Sequence, residues 1–175
     1  MLHPGFSGML TDHDVFDAQL APVPLAPQAD TTADLRVEIE TKRPILVIGM
    51  NRSGTKWLSN ILSQHPSIAC VTDSRFKGIL ESNMFGAMRQ KFDLHHPDDY
   101  AAFLTLWTET DFFKRSEVPR YQFIELMSQR NWPTDTLSIF ELLMSAKATI
   151  EQKDFWLQKV CPSQAATVLS RFPNA

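Results

Sequence analysis

The stretch PILVIGMNRSGTKWLSNIL, Pro44 to Leu62, constrains the fold more than any other part of the chain. Ile45, Leu46, Val47 and Ile48 make an unbroken β-favouring run, the pattern of a strand covered on both faces. It predicts a strand over Arg43–Met50. From Gly54 to Gln64 the period changes. Trp57, Leu58, Ile61 and Leu62 recur at helical spacing, and His65-Pro66 closes the run, because the residue before a proline is pushed out of the helical region. A buried strand that enters a helix through a glycine-bounded turn is the first unit of a parallel α/β sheet.

The remaining pattern agrees. Ser67–Thr72 reads as a short second strand, and Arg75 to about Lys91 as a helix carrying Ile79, Leu80, Met84 and Met88 in phase. His96-Pro97-Asp98-Asp99 reads as a helix start whose acidic residues suit the dipole. Tyr100, Phe103, Leu104 and Trp107 form the apolar stripe of that helix, with Phe112 and Phe113 beyond it. Further helices are expected over Tyr121–Arg130 and Thr134–Lys153, a third strand over Phe155–Val160 and a last helix over Ser163–Arg171. Sheets commonly have about five or six strands, so a sheet of three is expected to be incomplete in this chain. Residues 1–40, rich in Pro, Ala, Asp and Thr, read as a poorly ordered arm. Residues 41–175 are left as the α/β domain.

The chemistry concentrates where the first strand meets the first helix. The turn exposes backbone N–H groups at the helix start, and the helix dipole adds partial positive charge there. That geometry suits phosphate or sulfate. Gly49 and Gly54 permit close backbone approach, Ser53 and Thr55 supply hydroxyl donors, and Arg52 and Lys56 supply full charges. The spacing is nearly that of the nucleotide-binding loop G-x-x-x-x-G-K-[ST], but its end is transposed. Here the order is G-M-N-R-S-G-T-K, with Thr55 directly after Gly54 and Lys56 one step further round the helix. The transposition argues against a metal-dependent NTPase, in which the hydroxyl after the lysine holds magnesium.

Charge and cysteine usage narrow the class. A formal net charge of −3 argues against a general nucleic-acid or membrane-surface binder. No stretch nears the ~20 consecutive apolar residues of a membrane span. The N-terminus MLHPGFSGMLTDHD has no basic region followed by an apolar block. A cytoplasmic protein is therefore expected. Cys70 and Cys161 lie in separate regions and read as reduced thiols rather than a disulfide framework.

The segment PILVIGMNRSGTKWLSNILSQHP resembles the first signature of the PAPS-dependent sulfotransferases. In that family a strand ending in Gly is followed by R-S-G-T-T/K and a helix, and the loop wraps the 5′-phosphosulfate. WLQKVCPSQAATVLSRFPNA, Trp156 to Ala175, is similar to the family's K-x-P…L…FP-x-A stretch. The resemblance spans roughly Arg43 to Ala175 and is specific at these two ends. It departs from the family in one spacing, because Lys159 and Pro162 are separated by two residues instead of one. The 3′-phosphate motif, R-D-x-R followed by Ser, is expected just where this chain stops, so the chain is expected to be a C-terminally truncated fragment, inactive alone.

The resemblance implies a P-loop-type α/β fold and a sulfuryl transfer from PAPS to a hydroxyl or amine, without a metal. It places Asn51, Arg52, Ser53, Gly54, Thr55, Lys56 and Trp57 on the donor, with Arg52 neutralising charge on the bridging oxygen and Lys159 on the transferring group or leaving phosphate. Cys70 to Arg75, CVTDSR, resembles the C-x-E-E-T-R segment of the tyrosylprotein-like branch, which makes Asp73 the candidate base. Asp73 can equally cap a following helix; Glu81 is the second candidate. His95, His96, Asp98 and Asp99 read as helix entry rather than a metal site. The acceptor is expected to be a small molecule, a glycan or a peptide, its identity and the oligomeric state left open. The alternatives are a P-loop nucleotide kinase or NTPase and a non-catalytic anion-binding module.

Overall fold

The computed structural model describes residues 40–50, 52–73, 78–80, 82, 84 and 91–175. The expected arm up to residue 39, Asn51, Glu81 and most of the helix expected over 75–91 lie outside the described residues.

The first strand forms as the sequence dictates: β1 is Arg43–Ile48, and α1, Thr55–Leu62, follows it. Next come β2, Ile68–Ala69, β3, Thr72–Asp73, and β4, Gly78–Ile79. Four helices follow: α2, Pro97–Glu109, α3, Asp111–Ser116, α4, Arg120–Gln129, and α5, Thr136–Ile150. The chain then returns as β5, Phe155–Val160, takes a single 3₁₀ turn over Pro162–Gln164 and ends in α6, Ala165–Arg171.

β1, β5 and β2 form a three-stranded sheet in the order β1-β5-β2, parallel throughout. β5 is central although it is last in sequence. Its register with β1 runs from Arg43 opposite Phe155 to Ile48 opposite Val160. Strand alternation sends the two sets of side chains to opposite faces. Leu46, Ile48, Trp156 and Val160 enter the larger core with the aromatic residues of α2 to α5, while Ile45, Val47 and Leu157 pack with Leu62 of α1 and Ile68 on the other face. Helices on both faces of a parallel sheet give the P-loop-like α/β fold.

α5 is the spine of the larger core. Its sequence TLSIFELLMSAKATI is apolar nearly all round, and residues 142 to 148 are buried without a break, as a helix enclosed on every side requires. Asp135 starts it by accepting a hydrogen bond from Ser138 N at 2.9 Å, a cap of about 1 kcal/mol. Trp156 fastens the sheet to this core. Its ring is fully buried, meets Phe140 and Phe172 edge-on at 5.8 and 5.6 Å, and its Nε1 donates to Lys42 O at 3.0 Å. Lys42 N donates in turn to Ser145 Oγ on α5 at 3.1 Å. The base of β1 is thus tied to the core at two points.

Two readings of the sequence are corrected. The second strand is not continuous over Ser67–Thr72: it breaks after Ala69, and β3 pairs antiparallel with β4 instead of staying in the main sheet. Accordingly Ile79 is a strand residue and not part of a helix beginning at Arg75. The physical reason lies at Gly78, which rests on the side chain of Asn60 so closely that a Cβ there would collide with it, while Ile79 N donates to Asn60 Oδ1 at 3.2 Å. That contact docks the hairpin onto α1. The short helix α3, which no strong periodicity announced, is capped by Thr110 Oγ1, which accepts from Phe113 N at 3.2 Å.

Candidate functional site

β1 and β5 end side by side, Ile48 opposite Val160, so the loop after β1 opens at the C-terminal edge of the sheet, where open α/β folds bind ligands. The loop is a tight turn closed on one carbonyl: Met50 O accepts from Ser53 N at 3.1 Å and from Ser53 Oγ at 2.6 Å. Arg52 and Gly54 both adopt left-handed backbone angles, φ 64° and 81°. For Gly54 this is unstrained; for Arg52 it costs about 1–2 kcal/mol. Gly49 serves a different purpose. A Cβ there would run into Thr55 Cγ2 and lie 2.7 Å from Ser53 Oγ. Its lack of a side chain lets the strand end pack directly beneath both hydroxyl residues.

Gly54 is the N-cap of α1 and provides no side-chain cap. The first intrahelical bond is from Leu58 N to Gly54 O at 3.0 Å. The amides of Thr55, Lys56 and Trp57 therefore come before any helical partner, and none of them has an acceptor among the described residues. Unpaired donors at a helix front, backed by the dipole, are what an oxyanion needs. No acidic residue stands in the first turn to compete for them. Arg52, Lys56 and Trp57 are exposed around the same amides, Trp57 with 69% of its surface open.

The structure brings Arg52 to Trp57 together on this loop and helix front, and Asn51 lies outside the described residues. Lys159 stands opposite Val47, one residue before the end of β5. Alternation puts it on the face that holds Val47, Leu157 and Leu62 of α1. It thus rises beneath α1 on the strand next to the loop. Asp73 lies in the β3–β4 hairpin with its side chain fully buried, and its Oδ2 is 3.3 Å from Arg115 Nε on α3. A buried carboxylate requires such a partner. This pairing was not legible in the sequence, because α3 meets β3 only in the folded chain.

His96 is the N-cap of α2, Asp98 lies in its first turn, and Asp99 Oδ2 accepts from Asp93 N at 3.0 Å, so this group starts a helix. Among the described residues no cluster of three or more His, Cys, Asp or Glu side chains is placed to hold a metal ion. Phe103, Trp107, Phe112 and Phe113 are buried in the core rather than lining a cleft. Both cysteines are free thiols. Burial pushes the Cys70 thiol up from its ordinary value, with Lys153 and Lys147 opposing the shift.

A parallel sheet with an open loop and a helix front at its C-terminal edge is the setting in which α/β proteins hold phosphate or sulfate. A model of the sulfotransferase family matches residues 44–175, from the start of β1 through the loop to the last residue, and the chain belongs to that family. The match does not single out the tyrosylprotein-like branch. No curated protein and no solved structure matches the chain. No helix among the described residues is long and apolar enough to cross a membrane.

Proposed function

We propose that the chain binds PAPS at the loop of residues 51–56 and serves the transfer of its sulfuryl group to a hydroxyl or amine of a small-molecule, glycan or peptide acceptor. The observation that carries this reading is the set of unpaired amides at Thr55, Lys56 and Trp57, with Arg52 beside them. Those amides and the Thr55 hydroxyl hold the 5′-phosphate and sulfuryl oxygens, and the Ser53 hydroxyl joins them by turning its one proton away from Met50 O. Trp57 offers an exposed ring to the nucleotide. The acceptor oxygen or nitrogen attacks sulfur, the bond from sulfur to the bridging phosphate oxygen breaks, and adenosine 3′,5′-bisphosphate leaves with the electron pair. Arg52 and Lys159 neutralise charge growing on the bridging oxygen. Catalysis is then positioning plus electrostatic stabilisation.

The acceptor's proton passes to a carboxylate. Asp73 is closed to solvent and already paired with Arg115, so this reading favours Glu81 as the base. D73N and E81Q separate the two, since the true base abolishes turnover and leaves donor binding intact. A cytoplasmic, reducing setting fits the two free thiols.

Titration calorimetry of the full chain with adenosine 3′,5′-bisphosphate, ATP and inorganic sulfate tests the donor reading. Binding of the bisphosphate in preference to ATP, independent of magnesium, is expected. Magnesium-dependent ATP binding overturns it in favour of a nucleotide kinase or NTPase. Sulfate bound as well as the nucleotide overturns it in favour of a simple anion-binding module.

A further inference from the structure

We infer that the cavity at the foot of β1, between α5 and the guanidinium groups of Arg130 and Arg171, is a binding site for a free α-amino acid. Thr41, just before β1, lines it. A strand rises about 3.3 Å per residue, so Thr41 stands roughly 25 Å from Gly49 at the other end of β1. The site is therefore separate from the loop of residues 51–56, and the inference does not rest on the transfer reading above.

The cavity has a volume of about 330 Å³, enough for one amino acid and within the range of about 300–1,000 Å³ common for small-molecule sites. One face of α5 is its floor. Ser138, Glu141, Leu142 and Ser145 line it at the spacing of a single helix face. Three of these four are polar, on a helix whose other faces send Ile139, Phe140, Leu143 and Met144 into the core. Arg171 at the end of α6 and Arg130 and Pro133 after α4 complete the wall.

Principles of charge pairing say what this lining wants. Arg171 Nη2 donates to Glu141 Oε2 at 2.6 Å and to Ser138 Oγ at 3.3 Å, and these two bonds hold the guanidinium along the wall. Glu141 Oε1 and Arg171 Nη1 and Nε have no partner among the described residues. The Glu141 side chain is only 14% exposed. Burial pushes its carboxyl up from the ordinary value, with Arg171 and Arg130 opposing the shift. A carboxylate that burial penalises, with one oxygen unused, gains from a second cation. Ser145 Oγ accepts from Lys42 N at 3.1 Å, and its own proton has no acceptor among the described residues.

Both signs of charge thus border one small space. Glu141 Oε1 suits an ammonium, the guanidinium groups and the Ser145 hydroxyl suit a carboxylate, and Pro133 and Leu142 offer apolar surface to a side chain. A zwitterion uses all of these at once. An inorganic anion leaves Glu141 uncompensated, and a simple amine leaves the arginines unused.

Thermal unfolding of the full chain, with each of the twenty common L-amino acids in turn, gives the first test. At least one is expected to raise the midpoint saturably. Calorimetry then compares that amino acid with the carboxylic acid that lacks its ammonium and the amine that lacks its carboxylate. Each analogue should bind at least about tenfold more weakly, since each forfeits a charge-assisted contact. E141Q and R130Q should each weaken the amino acid by a similar factor. R130Q alters an exposed side chain and decides the matter if circular dichroism shows E141Q unfolded. A saturable rise with none of the twenty overturns the inference. So does a carboxylic acid that binds as tightly as its amino acid, which makes this a plain anion site, or parental affinity in the folded variants.

Discussion

Gly49→Ala puts the loop's construction to a direct test. The new methyl would collide with Thr55 Cγ2 and sit 2.7 Å from Ser53 Oγ. Neither neighbour yields freely. Ser53 Oγ is engaged with Met50 O at 2.6 Å, and Thr55 is β-branched on the first residue of α1, with few rotamers open to it. Making room means rotating both side chains or lifting the strand end. Overpacking of this kind costs about 1–3 kcal/mol, and the broken Ser53 bond about 0.5–1.5 kcal/mol. Ser53 is exposed and Thr55 half-buried, so each can shift in part although neither moves freely, and the loss falls near 1–2 kcal/mol in stability. Binding should suffer more. Two hydroxyl donors turned away from the anion lose about 1–3 kcal/mol, at least about fivefold and centrally tenfold or more in affinity. Urea unfolding gives the first number and calorimetry with adenosine 3′,5′-bisphosphate the second. Gly54→Ala is the contrast. Nothing lies within 4 Å of its added Cβ, and φ is 81°, so it pays only left-handed strain of about 1–2 kcal/mol. A Gly49→Ala protein with parental stability and parental affinity refutes the idea that Gly49 is there for space.

Other outcomes follow from single contacts. R52A should lower turnover of an active sulfotransferase assembly by about 10²–10³-fold, the scale of one preorganised donor, and R52G should do the same while gaining about 1 kcal/mol from relief at φ 64°; unchanged turnover in both removes Arg52 from the reaction. Lys147→Met strips a buried ammonium that donates to Ser116 O at 3.2 Å and Glu151 Oε1 at 2.6 Å, and should cost about 2–3 kcal/mol in urea unfolding at neutral pH. Burial opposes charge on Glu151, but hydrogen bonds from Lys147 and Lys153 outweigh it and hold its carboxyl below the ordinary 4.5. Its stabilisation is therefore complete above that value and is lost as pH falls through the folded one, so the gap between variant and parent should narrow in acid; a constant gap refutes the linkage. Burial pushes Tyr100 from 10.0 up to about 12, and its hydroxyl donates to Pro133 O at 2.9 Å. A raised value in the fold means that this stability is whole below pH 10 and drains as pH climbs towards 12. Ultraviolet titration should show one late phenolate that Y100F removes, at about 1 kcal/mol in stability; a tyrosine titration with no late component counts against the buried hydroxyl.

What the sequence made legible is what local rules decide. β1 and α1 were visible because one short stretch contains both periods and the glycine between them, and β5 because six residues of buried strand follow a turn. The candidate loop lies within that same local unit, so Arg52 to Lys56 could be proposed from the sequence alone. The β3–β4 hairpin was not visible. Two-residue strands have no period to detect, and Ile79 fell in helical phase with Leu80 and Met84 by coincidence, its true partner being Asn60 on α1. The ion pair of Asp73 and Arg115 was hidden for a related reason. The motif drew attention to Asp73 as a candidate base or helix cap, but its ion pair is made with Arg115 of α3, which reaches it only in the folded chain.

The loop and the core divide the labour of the molecule. The large buried residues, Trp107, Trp156, Phe103 and Phe140 among them, lie behind the sheet and not around the loop. The loop itself is exposed, carries a strained Arg52 and has three amides with no acceptor among the described residues. Each of those features costs free energy in the empty protein. They persist because β1 is fixed from below, through Lys42 to Trp156 and Ser145, and because Gly49 lets Ser53 and Thr55 seat directly on the strand end. Under the proposed function, local stability given up at this rim makes the loop ready for an oxyanion, since amides that are already oriented need no rearrangement when charge arrives. Loosening the anchor beneath β1 should therefore weaken anion binding at the opposite end of the strand, with no ligand contact touched.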